Sequence, residues 1–521
     1  MKKIISRSLV GVLALPGAVM AEELWITIGS DGYKTLKQNS SLVAKQPLAI
    51  QGEERNGVTI LKVNEKNLSE ISTLMHINHN RCGGFMVHDS LEEAEAAQIS
   101  SLTTTVNNVI AYSIDNADVV NALQAEISES NIRSTIQSLS NFTNRYYTTS
   151  TGVDGAEWIR DEWQALTNSR SDASVELYSH SWAQPSVILT IQGQTDPDEI
   201  IVLGAHLDST VGFGTGEGTR APGADDDASG IATLTDVINA IVATDYKPDK
   251  TLAFMGYAAE EVGLRGSDDI ASDYKSQNKN VIGALQLDMT NYYGSNSDIY
   301  IIGDYTNSAQ NSFLEDLAQT YLSGLTVGTT YCGYACSDHA SWYNQGYPVS
   351  FPFEATFNGS NPYIHTSSDT LANSGGDASH AVKFGKLAAA YVAELAKGYI
   401  GDDPGPDPDP DPDPDPDPGE EQTETFSDDV GRGSEDHYGP LSVTPGTDFI
   451  ADMTGTNDAD LYVRFGAAPT WRYYDCRPYE GDSSENCSLT VPSGESEAYF
   501  MVRGYSRLGS DYEVDVTYTP Q

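Results

Sequence analysis

The chain has 521 residues, 39% of them hydrophobic, which gives enough apolar material for a packed core and too much length for one ordinary domain. Its 29 basic and 75 acidic side chains leave a formal net charge of −46, and such a chain cannot neutralise nucleic-acid phosphates or lie on an anionic bilayer. Eight of those charges sit in Asp402, Asp403 and the alternating Asp407 to Asp417; the remainder suits a soluble protein in open medium.

The N-terminus joins Lys2 and Lys3 to a short apolar stretch, Leu9 to Leu15, and then to the small residues of Ala18-Val19-Met20-Ala21. That order predicts a secretory signal peptide over residues 1–21, cleaved after Ala21. No later stretch reaches the roughly 20 apolar residues that a membrane helix needs, so the expected product is secreted and extracellular, with no membrane span. Residues 22–106 are polar and mixed, with alternating patches at 24–28 and 58–63, and are expected to form an N-terminal propeptide that aids folding and inhibits. They contain His76, His79 and His88, whose spacing does not fit the i,i+4 pattern of a zinc helix, so these histidines read as solvated or structural.

Helical periodicity begins at 132–142 and 156–166, after which short apolar runs alternate with helix-like stretches. The runs are 186–191, 200–205, 251–257, 282–287 and 299–302, all rich in Val, Ile and Leu, as strands buried on both faces should be. Helices are predicted at 230–244, 263–275, 308–321 and 381–399. The alternation predicts an α/β fold with a mixed, largely parallel central sheet sandwiched by helices. Residues 402–419 hold no apolar side chain; alternating Pro and Asp stiffen and extend them into an Asp-Pro spacer, read as a tether rather than a calcium-binding array. The alternating segments beyond it predict a small all-β sandwich over 420–521.

Five cysteines in an exported chain leave one over. Cys332 and Cys336 lie four apart, Cys476 and Cys487 eleven apart, and Cys82 stands alone within the expected propeptide. Compartment favours two local disulfides over a C-x3-C zinc site, because no second thiolate pair lies near.

In open α/β sheets ligands bind at the carboxyl ends of strands. Three predicted strands end in chemistry: 200–205 is followed by His206 and Asp208, 251–257 by Glu260 and Glu261, and 282–287 by Asp288. The loop Asp225-Asp226-Asp227 follows the first, and His365 comes later beside Asp369. Each signal alone has a bland reading, a helix start or an acidic turn. Together they gather imidazoles and carboxylates on one rim, where like charges repel unless a divalent cation resolves them.

GAHLDS (204–209), APGADDDASG (221–230), YAAEEVGLRGS (257–267), LQLDMTNY (285–292), CGYACSDHASW (332–342) and IHTSSDTL (364–371) resemble, in order, the secreted bacterial leucine aminopeptidases with a co-catalytic zinc pair. The likeness covers about 125–400, and the tail resembles the bacterial pre-peptidase C-terminal domain. It implies a zinc-exopeptidase catalytic domain over 107–401 with two Zn2+, Asp226 bridging, His206 and Asp288 on one ion, and Glu261 and His365 on the other. Glu260 becomes the general base that deprotonates a metal-bridging water, Asp208 orients His206, and Tyr334 and Ser337 stand near the oxyanion or serve structurally in the disulfide loop.

The same resemblance places Met289, Ile302, Phe351, Phe353, Phe357 and Ile364, with Cys332 and Cys336, around an apolar pocket for leucine or another large N-terminal residue, although Ile302 reads as plain core. Ser360 and Phe351 depart from the family type. The implied partners are peptide or protein N-termini, and the implied form is a monomeric, secreted zymogen. A related carboxypeptidase, dipeptidase or one-metal glutaminyl cyclase is the runner-up, and a non-catalytic binding scaffold the alternative of another class. The absence of G-x-S-x-G and H-E-x-x-H argues against a serine hydrolase and an H-E-x-x-H endopeptidase.

Overall fold

The computed structural model describes residues 23–39, 49–50, 55, 57–79, 83–100, 110, 112–212, 214–401, 421–507 and 509–521. The expected signal peptide, the Asp-Pro spacer and Cys82 lie outside them. The chain divides into two compact units, 1–403 and 404–521.

The first unit opens with strands β1 (Glu23–Gly29), β2 (Ala49–Ile50), β3 (Val58–Asn64) and β4 (Phe85–His88), paired antiparallel in the order β2-β3-β1-β4. Leu24, Ile26 and Ile28 recur at period two on β1, so one face of the sheet is apolar. That face packs on helices Ser30–Gln38 and Leu68–His79 through Leu36, Leu68, Ile71 and Met75.

Strands β5 (Ala173–Tyr178), β6 (Ser186–Ile191), β7 (Asp196–His206), β8 (Tyr246–Lys247), β9 (Lys250–Tyr257), β10 (Asn280–Gln286), β11 (Ile299–Ile302), β12 (Val327–Thr330), β13 (Val349–Ser350), β14 (Pro352–Phe353) and β15 (Tyr399–Ile400) follow in the same unit. Six of them build the central sheet, in the order β13-β10-β7-β9-β6-β5. β13, β10, β7 and β9 run parallel, while β6 and β5 are antiparallel additions at one edge.

Burial on both faces explains the continuous apolar runs. Leu189, Ile201, Leu203, Leu252 and Phe254 point to one face, covered by helices Ala117–Glu126, Glu129–Ser140, Ser150–Thr167, Ala228–Ala243 and Ala381–Ala396. Their sequence neighbours Ile188, Val202, Ala253 and Met255 face the opposite layer, where helices Arg265–Ser276 and His339–Asn344 supply Ile270, Ala271 and Trp342.

Two expectations change. β7 begins at Asp196 rather than 200, because its first four residues are half or fully exposed and carry no apolar signal. The run 299–302 is a strand, but it belongs to a separate sheet of order β12-β11-β14, which length and composition do not distinguish.

The second unit contains two antiparallel sheets, one of four strands, including Asp448–Gly455 and Ser510–Tyr518, and one of three, including Ala459–Phe465 and Glu497–Gly504. Phe449, Ala451 and Val514 from the first pack with Val463, Phe500 and Val502 from the second, which makes the core of an all-β sandwich. Cys476 and Cys487 are disulfide-bonded, with Cα atoms 6.0 Å apart.

Candidate active site

The parallel strands β7, β9 and β10 end on one edge of the sheet, and the chain turns there into short loops that carry the ionisable side chains. His206 is the last residue of β7; Glu260 and Glu261 form a 3-10 turn just after β9; Asp288 follows β10. Ala259, Met289 and His365 adopt left-handed φ of 58°, 59° and 54°. Left-handed backbone costs a non-glycine residue roughly 1–3 kcal/mol, and here it re-aims the chain at the positions flanking Glu260 and Asp288 and at His365 itself.

The cluster is dry: Glu260 and His206 are 0% exposed, Glu261 1%, Asp226 and Asp288 2%, and His365 7%. One carboxylate joins its two halves. Asp226 Oδ1 lies 2.9 Å from His206 Nε2, and Oδ2 lies 2.8 Å from His365 Nε2. Beyond His206 stands Asp288 Oδ1 at 3.6 Å, and beyond His365 stands Glu261 Oε2 at 3.2 Å.

Among the described residues, both ring nitrogens of His206 and of His365, both oxygens of Glu260 and of Glu261, and Oδ1 of Asp288 are buried without a hydrogen-bond partner. Orphaned buried polar atoms of this number are costly unless something else satisfies them. Imidazole nitrogen and carboxylate oxygen are zinc donors, and the two halves offer three protein ligands each when Asp226 is shared, which leaves each ion an open position. The residues therefore fit a pair of divalent ions.

The electrostatics agree. Burial by itself lowers an imidazole, yet Asp288, Glu260, Asp208 and Asp226 hold His206 well above its ordinary value, and Glu261 and Asp226 lift His365 to about 10. Burial, followed by Glu261, Asp338 and Asp288, pushes the Glu260 carboxyl well above the carboxylate range against the pull of His206. Asp226 moves the other way: burial would raise it, but His365 and His206 hold it far below. Negative charge is concentrated here in excess of what two imidazoles neutralise.

Around these groups stands a polar frame. Asp208 sits 3.4 Å from His206 Nδ1, while its oxygens accept the backbone N–H groups of Glu260 at 3.0 Å and Glu261 at 3.3 Å and so hold the 3-10 turn. Asp227 groups geometrically with His206 and Asp288 as a possible ligand. Its carboxylate, however, accepts N–H bonds from His206 at 3.1 Å, Gly230 at 2.9 Å and Met289 at 3.1 Å, so it braces three chain segments and caps the helix Ala228–Ala243.

Asp369 accepts from the N–H groups of Asp225 and Asp226 at 3.1 and 3.2 Å and pins the loop from the His365 side. Arg145, 1% exposed, donates to the carbonyls of Leu139, Leu207, Pro222 and Gly223 and clamps the segments after β7. The acidic triplet and His365-Asp369 were visible in sequence; nothing local marked Arg145 or set Asp227 apart from its neighbours.

Beside Asp288 lies the expected apolar cavity, lined by Met289, Cys332, Tyr334, Cys336, Phe351, Phe353, Phe357, Ser360 and Ile364. Cys332 and Cys336 are disulfide-bonded at a Cα separation of 6.2 Å and form one wall. Ile302 is fully buried and packs against the same apolar cluster behind the lining, in keeping with the plain-core reading of this residue. Ser337 Oγ donates to Asp288 Oδ2 at 2.6 Å, so its hydroxyl braces that carboxylate. Tyr334 does line the cavity, edge-on to Phe357. Roomier clefts of about 710 and 670 Å3 lie elsewhere; the first, lined by Thr251 and Asn280, is at the opposite ends of the strands and gathers no such cluster.

The propeptide expectation for His76 also changes. Helix Leu68–His79 crosses the rim: Ser72 Oγ donates to the Glu261 carbonyl at 2.7 Å, Val87 N–H donates to the Gly263 carbonyl at 3.0 Å, and Arg265 pairs with Glu65 at 2.9 Å. His76 is 8% exposed, with its ring centroid 3.7 Å from that of His365. His79 and His88 bond to Thr35 and Thr27, as structural histidines do.

A parallel-sheet α/β unit with buried imidazoles and carboxylates paired across a shared aspartate is an arrangement that metal-dependent hydrolases use. Residues 186–392 match the model of Peptidase family M28. The chain is 39% identical over 304 residues to a probable leucine aminopeptidase 1 of Trichophyton verrucosum, covering 55% of this chain and 80% of that protein. It is 34% identical over 324 residues to leucine aminopeptidase 1 of Penicillium rubens, covering 59% and 82%. Crystal structures of LapB and of the LapA aminopeptidase, both from Legionella pneumophila, superpose with TM-scores of 0.62 and 0.61 at 28% and 29% identity; each covers 72% of this chain, with 100% and 99% of its own length matched. The chain belongs to peptidase family M28, a family of zinc-dependent peptidases, and is a hydrolase of the aminopeptidase kind.

Proposed function

We propose that the protein is a secreted aminopeptidase that uses two zinc ions to release leucine or another large apolar residue from peptide N-termini. The observation that carries this reading is the Asp226 carboxylate set between His206 and His365 at 2.9 and 2.8 Å, with Asp288 and Glu261 at the outer ends. His206, Asp226 and Asp288 hold one ion; Asp226, Glu261 and His365 hold the other. When bound, the pair polarises the scissile carbonyl and lowers the pKa of the attacking water.

Glu260 takes the proton from that water and hands it to the leaving amine. Its dry surroundings suit the role, since a carboxylate shielded from solvent is a stronger base than one in water. Asp208 keeps the Glu260–Glu261 turn in place, Ser337 keeps Asp288 in place, and Tyr334, which lines the cavity beside Asp288, is the proposed donor to the carbonyl oxygen. The side chain of the departing residue enters the cavity of Met289, Phe351, Phe353, Phe357 and Ile364. An open position on one ion would suit a free α-amine, which would restrict cleavage to N-termini.

Secretion rests on the signal-like residues 1–21, on two disulfides and on the absence, among the described residues, of a helix long and apolar enough to cross a membrane. The proposed organisation is a propeptide over 22–106, a catalytic domain over 107–401, a stiff spacer over 402–419 and a pre-peptidase C-terminal type sandwich over 420–521, working as a monomer. Processed protein should cleave Leu-p-nitroanilide, spare its N-acetyl counterpart, and lose activity to a chelator with recovery on zinc. Equal cleavage of both substrates, or indifference to chelation, refutes the reading.

A further inference from the structure

The segment N-terminal to the catalytic unit does more than cover the rim: it delivers a metal-ligating side chain into it. His76, Glu261 and His365 each offer a ligand atom, all within 4.8 Å of one another, and all three are buried. The His76 Nε2 lies 3.8 Å from Glu261 Oε2, and its ring, tilted by 35°, has its centroid 3.7 Å from that of His365, the residue whose Nε2 is 2.8 Å from Asp226.

Placement of His76 is fixed from several sides. Ser72, one turn earlier on the same helix, lies 3.1 Å from His76 Nε2 and also donates to the carbonyl of Glu261 itself. Gly212 backs the ring from the loop after β7, where a Cβ would come within 3.3 Å of His76 Cδ2. Ser69 bonds Tyr146 at 2.7 Å, and Gly83 runs against the backbone of Glu260, Glu261 and Gly263. The ring reaches a half-site that already gathers one imidazole and two carboxylates, with the Ser72 hydroxyl as the present hydrogen-bond partner of its Nε2.

The geometry points to His76 as a ligand of the ion at the Glu261–His365 half-site in the uncleaved chain. The reasoning is one of coordination number. Without His76 that half-site has three protein ligands, Asp226, Glu261 and His365, and keeps a position open, as catalytic zinc sites do. With His76 it has four, two imidazoles and two carboxylates, which completes a tetrahedral set and closes the site as structural zinc sites are closed. A closed half-site has no position left for substrate, and removal of the segment that carries His76 would open one.

Linkage adds a second consequence: if the pro-segment tightens the ion, the ion tightens the pro-segment by the same factor. Metal loading and latency are thereby coupled, so that a metal-free precursor holds its pro-segment more loosely than a loaded one.

This inference rests on the two-metal reading above, and the experiment separates the two. The full-length, uncleaved chain is stripped with a chelator and titrated with Co2+, reading visible d–d absorption, the dissociation constant of each ion, and the rate at which a protease cuts the pro-segment with and without Co2+. The variants are His76→Phe, which keeps the ring volume and removes the donor, and His76→Gln, which keeps a polar group for Ser72 and is a poor zinc ligand; His79→Ala on the same helix is the control.

Wild type and His79→Ala should bind two Co2+ and be protected by them. Both His76 variants should bind one of the two about tenfold or more weakly, show an altered d–d band, and lose the Co2+-dependent protection. Two ions bound by the His76 variants with the wild-type spectrum, affinity and protection overturn the ligand role and leave the two-metal site standing. Failure of wild type to bind Co2+ overturns both.

Discussion

Replacing Asp227 by alanine tests whether the site is built by its frame as much as by its ligands. The carboxylate accepts three backbone N–H bonds, from His206, Gly230 and Met289, whose residues are all buried. Alanine leaves three buried donors unmet, each costing about 1–3 kcal/mol, of which the helix cap at Gly230 is about 1. Against that stands a relief: burial, then Asp288, pushes the Asp227 carboxyl well above its ordinary range, so its removal eases charge crowding.

The net expectation is the low end of the range, about 3 kcal/mol of lost stability. Urea unfolding of the uncleaved chain at pH 7, following the transition of the 1–403 unit, measures it. A loss below about 1 kcal/mol refutes the bracing role. At saturating zinc the variant should still carry two ions, because Asp226 and not Asp227 joins the halves; a protein that saturates at one ion makes Asp227 a ligand.

Glu260→Gln, nearly isosteric, should keep both ions and lose about 10^2- to 10^4-fold in turnover on processed protein, and retained turnover places the base elsewhere. Phe353→Ala enlarges the cavity and should lower kcat/KM for a leucyl substrate about tenfold or more while sparing a bulkier aromatic one; equal losses show that the cavity does not read the side chain. His380, away from the ligands, bonds the Glu354 carbonyl, and burial together with Lys383 lowers it to about 4. Between about 6.5 and 4 the unfolded chain binds the proton and the folded chain does not, so stability falls as pH drops, by at most about 3 kcal/mol from this residue. His380→Gln should flatten the pH dependence of the urea midpoint in that window, and an unchanged slope removes His380 as its source.

The central sheet was legible because strands buried on both faces write themselves as unbroken runs of Val, Ile and Leu, as 186–191 and 251–257 do. His206, Glu260, Glu261 and Asp288 were legible for a related reason: each follows such a run, and strand ends are where a parallel sheet gathers its chemistry. The exposed start of β7 was not legible, since polar residues paired in a sheet carry no apolar period.

Tertiary roles were hidden more deeply. Three adjacent aspartates look alike in sequence, and only the fold makes Asp226 a link between imidazoles, Asp227 a brace and Asp225 a partner of Asn361 and Asn291. For Ser337 the sequence leaves an oxyanion role and a structural one open, and only the fold shows its hydroxyl on Asp288. His76 was read as structural because its helix has no second ligand at zinc spacing; its companions come from residues 261 and 365, and no local pattern records a contact across such separations.

The central claim is a pair of ions held on either side of Asp226. Anomalous diffraction at the zinc edge, on crystals of the zinc-loaded uncleaved chain, measures it most directly. The account predicts two peaks, one among His206, Asp226 and Asp288 and one among Asp226, Glu261 and His365. A single peak, or peaks away from Asp226, contradicts it.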